Sequence, residues 1–130
     1  MSLDNADLSS NPPEPMAGQL FTLTIRLDSA SPADITVSLE KQRIVAKGGG
    51  PQLFPTGTNY FQLNPQPITI IAGTTSGTSS PIEVKSHPSA EPGDPPVRSP
   101  ERLLFSAFIP NKPSDGFCCT IVPVSVQSIG

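Results

Sequence analysis

Residues 21–40 read FTLTIRLDSASPADITVSLE, and this stretch decides the fold class. Apolar residues occupy every second position from Phe21 to Leu27 and again from Ile35 to Leu39. A period of two places one set of side chains on one face of a β-strand, so each segment predicts a strand with one buried face. The intervening letters DSASPAD are typical turn residues. The stretch therefore predicts two strands joined by a polar turn.

Further short apolar segments follow along the chain, separated by turn residues. Pro123 lies inside the last of them and lacks a backbone donor, which favours an edge strand or a bulge there. No apolar period of 3.6 residues extends beyond two helical turns, so we predict an all-β chain with about seven antiparallel strands. The further segments are Arg43–Ala46, Tyr60–Leu63, Ile68–Ile71, Pro81–Lys85, Leu103–Ile109 and Phe117–Val126.

Short strands with turn-rich connections are typical of a two-sheet β-sandwich of immunoglobulin-like architecture. A jelly roll and a sheet closed on itself remain open as alternatives. The chain has no tryptophan, and its two cysteines are adjacent at Cys118 and Cys119. The inter-sheet disulfide and tryptophan of antibody domains are therefore not expected, and any immunoglobulin likeness is one of architecture.

The sequence predicts one domain preceded by a short lead-in. Residues 1–19 hold Pro12, Pro13 and Pro15 and few large apolar side chains, so we predict a flexible N-terminal segment. Residues 20–130 are predicted to form the single β-sandwich domain. Residues 86–100 contain five prolines and are predicted to be a long surface loop.

Two segments resemble a known family. Thr24 to Leu39 (TIRLDSASPADITVSL) and Pro67 to Val84 (PITIIAGTTSGTSSPIEV) are similar to the strand-and-turn pattern of Ig-like and Calx-beta-like repeats in bacterial extracellular proteins. The hairpin from Leu103 to Val126 follows the same order. The resemblance implies a spacer or adhesion module at a cell surface, in a secreted protein or in a virion.

Calcium binding, which the Calx-beta family performs with clustered carboxylates, is not expected here. Calcium takes six or more oxygen ligands. Acidic residues such as Asp28, Asp34, Glu83, Asp94 and Asp115 are scattered singly, and Glu91 with Asp94 would supply only two carboxylates within one proline-rich loop. We therefore predict no metal site.

Charge and hydropathy exclude two classes of partner. The formal net charge is −3 and charged residues make up 15% of the chain, which argues against a nucleic-acid binder with a basic face. No apolar run approaches the roughly 18 residues of a membrane span. The first residues, with Asp4 and Asp7, do not resemble a signal peptide. We expect an extracellular or cell-surface location, with a virion or the cytoplasm as the alternative.

Catalysis is not expected either. Adjacent cysteines on a strand point to opposite faces, so one thiol should be buried and the other exposed, without a disulfide. The only histidine, His87, lies in the proline-rich segment near Ser86, Ser89 and Asp94. These residues could be assembled into a triad, but a solvated loop histidine is the favoured interpretation. We predict no catalytic residue, no cofactor and no metal.

Binding is expected at two places. Leu53 and Phe54 stand in the glycine-rich segment 47–59, predicted to be a flexible loop, where they either cover the end of the sandwich or form an apolar tip that enters a partner. Leu104 and Phe108 lie on the face of their strand opposite Phe105 and predict an interface. The partner is expected to be a protein or a neighbouring domain. A homo-oligomer, as in a virion, phage or secretion component, is the alternative.

Overall fold

A computed structural model describes residues 3–47, 50–56, 60–88, 92–93, 96–97 and 100–126. Within these ranges the chain forms ten β-strands, no α-helix and one short 3₁₀ turn at Pro113–Asp115. The all-β prediction is therefore confirmed. In chain order the strands are β1 (Asp7–Asn11), β2 (Leu20–Arg26), β3 (Ile35–Lys47), β4 (Gly50–Pro55), β5 (Phe61–Leu63), β6 (Ile68–Ile70), β7 (Ser76–Thr78), β8 (Ile82–Val84), β9 (Glu101–Phe108) and β10 (Phe117–Val124).

The strands form two antiparallel sheets. The first sheet has the order β1-β2-β8-β5, and β7 also pairs with β2. The second has the order β10-β9-β3-β4, and β6 also pairs with β3. Each sheet presents one face to the other, as in a β-sandwich.

The core lies between the sheets and follows from the alternation read in the sequence. In β2 and β9 every second side chain is buried. Phe105 of β9 spans the gap, with its ring centroid 6.0 Å from that of Phe21 and 6.4 Å from that of Phe61. Both pairs meet edge to face, a favoured geometry for aromatic rings. Aromatic contacts across the gap thus join the two sheets.

One glycine is required where the sheets approach at their margin. Gly77 of β7 lies over β6, and a Cβ atom built on it would stand 2.8 Å from Cγ2 of Ile68. A side chain there would collide with the other sheet. Turn residues were predicted between the segments Ile68–Ile71 and Pro81–Lys85, and the structure instead places β7 there.

The N-terminal segment differs from the predicted flexible lead-in. Strand β1 pairs with β2 over its full length, from Asp7 opposite Arg26 to Asn11 opposite Thr22. Leu3 is fully buried, and its amide donates to the carbonyl of Asp115 over 2.7 Å. The prolines of this segment lie after the strand, so they do not interrupt its pairing. Sandwich structure therefore begins before residue 20.

The segment after residue 47 also corrects a prediction. Residues 50–55 form β4, which pairs with β3 from Gln42 to Lys47, where a flexible loop was predicted. Residues 50–55 thus supply the second strand of a hairpin with β3. The predicted strands at 35–40 and 43–46 are one continuous strand, β3.

Other predictions are confirmed or lie partly outside the described residues. Strand β10, which contains Pro123, is an edge strand of its sheet, as predicted. Only parts of the predicted loop 86–100 are described. One of them, Pro96, accepts a hydrogen bond from Nη2 of Arg43 at 3.1 Å.

Candidate interaction surface

The outer face of the second sheet carries large apolar side chains toward solvent. In β9 and β10 the inward positions are buried, apart from the half-buried Thr120, and the alternate positions face outward. Two outward side chains of β10 are strongly exposed, Phe117 by 61% and Ile121 by 46%. Leu53 of β4, on the same side of the sheet, is exposed by 50%. We call the apolar set on this side the apolar face. Its members are Ile44, Leu53, Leu104, Phe108, Phe117 and Ile121.

The register of the sheet brings these residues together in pairs. Phe117 lies directly opposite Phe108, and Ile121 lies opposite Leu104. At the other margin Ile44 of β3 lies opposite Leu53 of β4. Directly opposed side chains in antiparallel strands stand about 4.5–5.5 Å apart at their Cβ atoms, so each pair is in contact. The face is thus a set of packed apolar pairs.

The outer face of the first sheet has a different chemistry. Ser9, Thr24 and Thr78 form one row across three strands, and the hydroxyls of Thr24 and Thr78 are 3.1 Å apart. Asp7 lies opposite Arg26 in the neighbouring row. Hydroxyl and charged side chains make their hydrogen bonds with water at little cost, so this face suits solvent. The two outer faces of one small sandwich are therefore unlike.

A groove of about 520 Å³ opens at the end of the apolar face. Its apolar lining includes Phe108, Ile109 and Phe117, and Glu40 and Lys112 also line it. A second groove of about 450 Å³ lies beyond Lys112, around Asp34. The first groove extends the apolar face to the β9–β10 connection.

The two cysteines lie as the alternation predicted. Cys118 is buried and Cys119 is exposed, and both are free thiols. Burial raises the pKa of the Cys118 thiol to about 11, with smaller contributions from Cys119 and Asp7. Cys119 faces outward, opposite Ser106, on the same side of the sheet as the apolar face. Its thiol can therefore report whether that side is covered.

A buried ion pair lies on the inner side of the same sheet. Arg43 is 1% exposed and Glu101 3%, and Nη2 of Arg43 lies 3.0 Å from Oε1 of Glu101. The guanidinium also stands 5.9 Å from the ring centroid of Tyr60. Burial, with the nearby Glu101 carboxylate, raises the pKa of the Tyr60 hydroxyl above its usual range. The charged groups face the core and not the surface, so the cluster joins β3 to β9.

Three of the four residues predicted to form contacts lie on the apolar face. Leu104 and Phe108 face outward and are half-buried, and Leu53 joins them from β4. Phe54 does not, because its side chain lies on the inner side, opposite Arg43. Leu53 and Phe54 are therefore not the tip of one flexible loop: they stand on opposite sides of a strand.

Phe117 and Ile121 were not among the residues predicted to form contacts. Both stand at outward positions of β10, four residues apart, and so share one face. That alternation was visible in the sequence. What it did not show was which strand β10 pairs with, and in which register.

The residues considered for catalysis and for metal binding are only partly described. His87 is exposed, and Ser89 and Asp94 lie outside the described residues. Asp34 accepts a hydrogen bond through Oδ1 from the amide of Ala72 at 2.8 Å, so its carboxylate links the segment before β3 to the segment after β6. Among the described residues, no three His, Cys, Asp or Glu side chains are grouped as metal ligands would be.

Within the described ranges, no helix has the length and apolar character needed to cross a membrane. A comparison of the chain with models of protein families, with curated proteins and with solved structures gave no match.

Proposed function

We propose that the chain is a non-catalytic binding or structural module, a spacer or adhesion domain of a surface or secreted protein, that contacts another protein through its apolar face. The proposal places the module outside the cell or at its surface. It assigns no reaction and no cofactor.

The strand order supports an immunoglobulin-like version of the sandwich. In immunoglobulin domains one sheet has strands A, B, E and D, and the other has G, F and C with C′ in some members. The orders β1-β2-β8-β5 and β10-β9-β3-β4 correspond to A-B-E-D and G-F-C-C′. Strands β6 and β7 are additions at the margin. Domains of this architecture serve widely as spacers and binding modules.

The observation that carries the proposal is the contrast between the two outer faces. Full burial of one large apolar side chain is worth about 1.5–3 kcal/mol. Phe117, Leu53 and Ile121 are each about half exposed, so covering the three would contribute roughly 2–5 kcal/mol. On the described strands of the first sheet's outer face, which we call the polar face, the exposed large apolar side chains are Leu20 and Leu63, and Glu83 stands between them. Exposed apolar side chains grouped on one face in this way are typical of a contact site.

Replacing Ile121 with a photo-reactive amino acid tests the proposal in cells of the organism that produces the protein. The matched control is the same amino acid at Leu20, which is 51% exposed on the outer face of the first sheet. We expect irradiation to cross-link a protein from position 121 and not from position 20. Equal cross-linking from both positions, or none from 121, contradicts the proposed contact face.

A second candidate function is a self-assembling structural subunit, such as a virion, phage or secretion component. The charges on the apolar face favour it, because Glu40 and Arg102 are opposite in sign and lie on neighbouring strands. In the cross-linking experiment this candidate predicts a product of about twice 13.6 kDa.

A further inference from the structure

The charged side chains of the second sheet's outer face have a regular arrangement. Within the described positions of β3, β9 and β10 that face outward, the charged ones are Glu40 and Arg102. The register pairs Gln42 with Leu104, Glu40 with Ser106 and Ile44 with Arg102. Glu40 and Arg102 thus lie on opposite sides of the Leu104–Gln42 row. Each is two residues, or about 7 Å, from that row.

The outer face of the second sheet is complementary in charge to the same face of a second copy. A two-fold axis along the Leu104–Gln42 row exchanges the two ends of the face between two stacked copies. Glu40 of one copy then lies over the Ile44–Arg102 pair of the other. Face-to-face sheets stand about 10 Å apart, a gap that a glutamate and an arginine span together. Two opposite-charge contacts would form in each dimer, around a centre of Leu104 and Ile121.

The size of the face fits a dimer. Four strands about 4.8 Å apart and eight residues rising about 3.4 Å each give a flat area of roughly 19 by 27 Å, or about 500 Å². Two copies would then bury about 1,000 Å², the lower limit for a specific interface. The relief of the side chains adds to this figure. We therefore expect a dimer with a dissociation constant in the micromolar range.

The edges of the sheet make face-to-face contact the favoured route. The edge strands β4 and β10 both contain proline, at positions 51, 55 and 123. Proline has no backbone donor and guards an edge against the addition of strands. Growth by edge pairing is thereby disfavoured, whereas the apolar face remains open.

We propose that the occupant of the apolar face is a second copy of this chain, stacked about a two-fold axis so that Glu40 of each copy meets Arg102 of the other. This inference rests on the proposed function, because it names the partner of the same face.

Sedimentation equilibrium of the purified chain under reducing conditions tests the inference, from about 1 to about 500 μM. We expect the mass to rise from 13.6 kDa toward twice that value. Glu40→Arg and Arg102→Glu should each raise the dissociation constant about tenfold or more, because two contacts change from attraction to repulsion. Arg26→Glu, the same charge change on the polar face, is the matched control and should leave the constant unchanged.

Mixing the two single variants is the decisive step. The Glu40→Arg variant carries a positive charge at both positions, and the Arg102→Glu variant carries a negative charge at both. Both contacts therefore become favourable only between unlike copies, and we expect the equimolar mixture to recover the wild-type mass. Because both substitutions are at the surface, circular dichroism should show unchanged folding.

The Cys119 thiol gives an independent readout. In the stacked dimer this exposed thiol is covered, so its rate of reaction with a maleimide should fall as protein concentration rises. Cys118 is buried and serves as the internal reference. A rate independent of concentration, despite a dimeric mass, would place the contact elsewhere and overturn the inference.

The remaining outcomes separate the inference from the proposed function. A monomer at every concentration overturns the second copy as partner, and the Ile121 cross-link then decides alone whether the face binds another protein. The two-fold arrangement is overturned if neither charge reversal changes the dissociation constant of the dimer. It is also overturned if the mixture of the Glu40→Arg and Arg102→Glu variants stays monomeric.

Discussion

The buried ion pair between Arg43 and Glu101 predicts a large loss of stability when one partner is neutralised. Glu101→Gln keeps the size of the side chain and removes its charge, which leaves the Arg43 guanidinium buried without its carboxylate. Breaking a buried pair in this way costs about 3–5 kcal/mol. We expect the lower end of this range, because only one of the two hydrogen bonds is short. Nη2 donates to Oε1 at 3.0 Å, whereas Nε donates to Oε2 at 3.4 Å. The Pro96 carbonyl also continues to accept from Nη2. We expect a loss of about 3 kcal/mol.

The double variant Arg43→Met, Glu101→Leu separates the cost of a lone charge from the worth of the pair. Apolar residues of similar volume need no partner in the core, and such replacements are often neutral or stabilising. The ring of Tyr60 lies 5.9 Å from the guanidinium and would pack against Met in its place. We therefore expect the double variant to be more stable than Glu101→Gln.

Urea unfolding at neutral pH, followed by circular dichroism, measures both variants. In thermal unfolding, the same loss of about 3 kcal/mol should lower the melting temperature of a domain of this size by roughly 10 °C. Thr24→Val on the polar face controls for the effect of substitution in a strand. A loss below about 1 kcal/mol for Glu101→Gln would refute the reasoning. So would a double variant whose loss of stability equals the summed losses of the single variants Arg43→Met and Glu101→Leu.

Three other outcomes are expected. Leu3→Ala should cost about 2–5 kcal/mol in urea unfolding because this side chain is fully buried, and a cost near zero would return the N-terminus to a flexible lead-in. Gly77→Ala should cost about 1–3 kcal/mol, since its methyl group would stand 2.8 Å from Ile68, and unchanged stability would contradict the close approach of the sheets. The free energy of unfolding should fall as pH rises from 9 to 11, because the Cys118 thiol ionises near 9.0 when unfolded and near 11 when folded. In Cys118→Ala this part of the slope should be absent, and an unchanged slope would assign it to other groups.

Much of the fold could be predicted because burial on one face leaves a period of two in the sequence. Strands β2, β8, β9 and β10 were predicted close to their observed places, and the pattern alone was sufficient. Both sheets are antiparallel, which agrees with strands that bury one face. The alternation says nothing about strand order, because any strand with a buried face fits the same core.

The errors have a common physical cause. Strands β1, β4 and β7 are rich in Ser, Gly, Pro or Thr and bury few side chains. Pairing to a neighbouring strand, not the hydrophobicity of their own sequence, holds them in the sheet. Strand propensity depends strongly on such context. A sequence read one segment at a time identifies the strands that supply the core and misses those that join it through backbone hydrogen bonds.

The candidate site was predictable only in part for a related reason. Leu104 and Phe108 could be assigned to an outward face from their own strand, because that strand is apolar on both sides. Their neighbours Phe117 and Ile121 became part of the same surface only through the β9–β10 register. A shift of one residue would turn Phe117 and Ile121 toward the core and Cys118 and Val122 outward. The registers of β10 and β3 against β9 therefore set the size of the apolar face and the placing of Glu40 relative to Arg102, and the proposed two-fold contact tests the β3–β9 register as well as the partner.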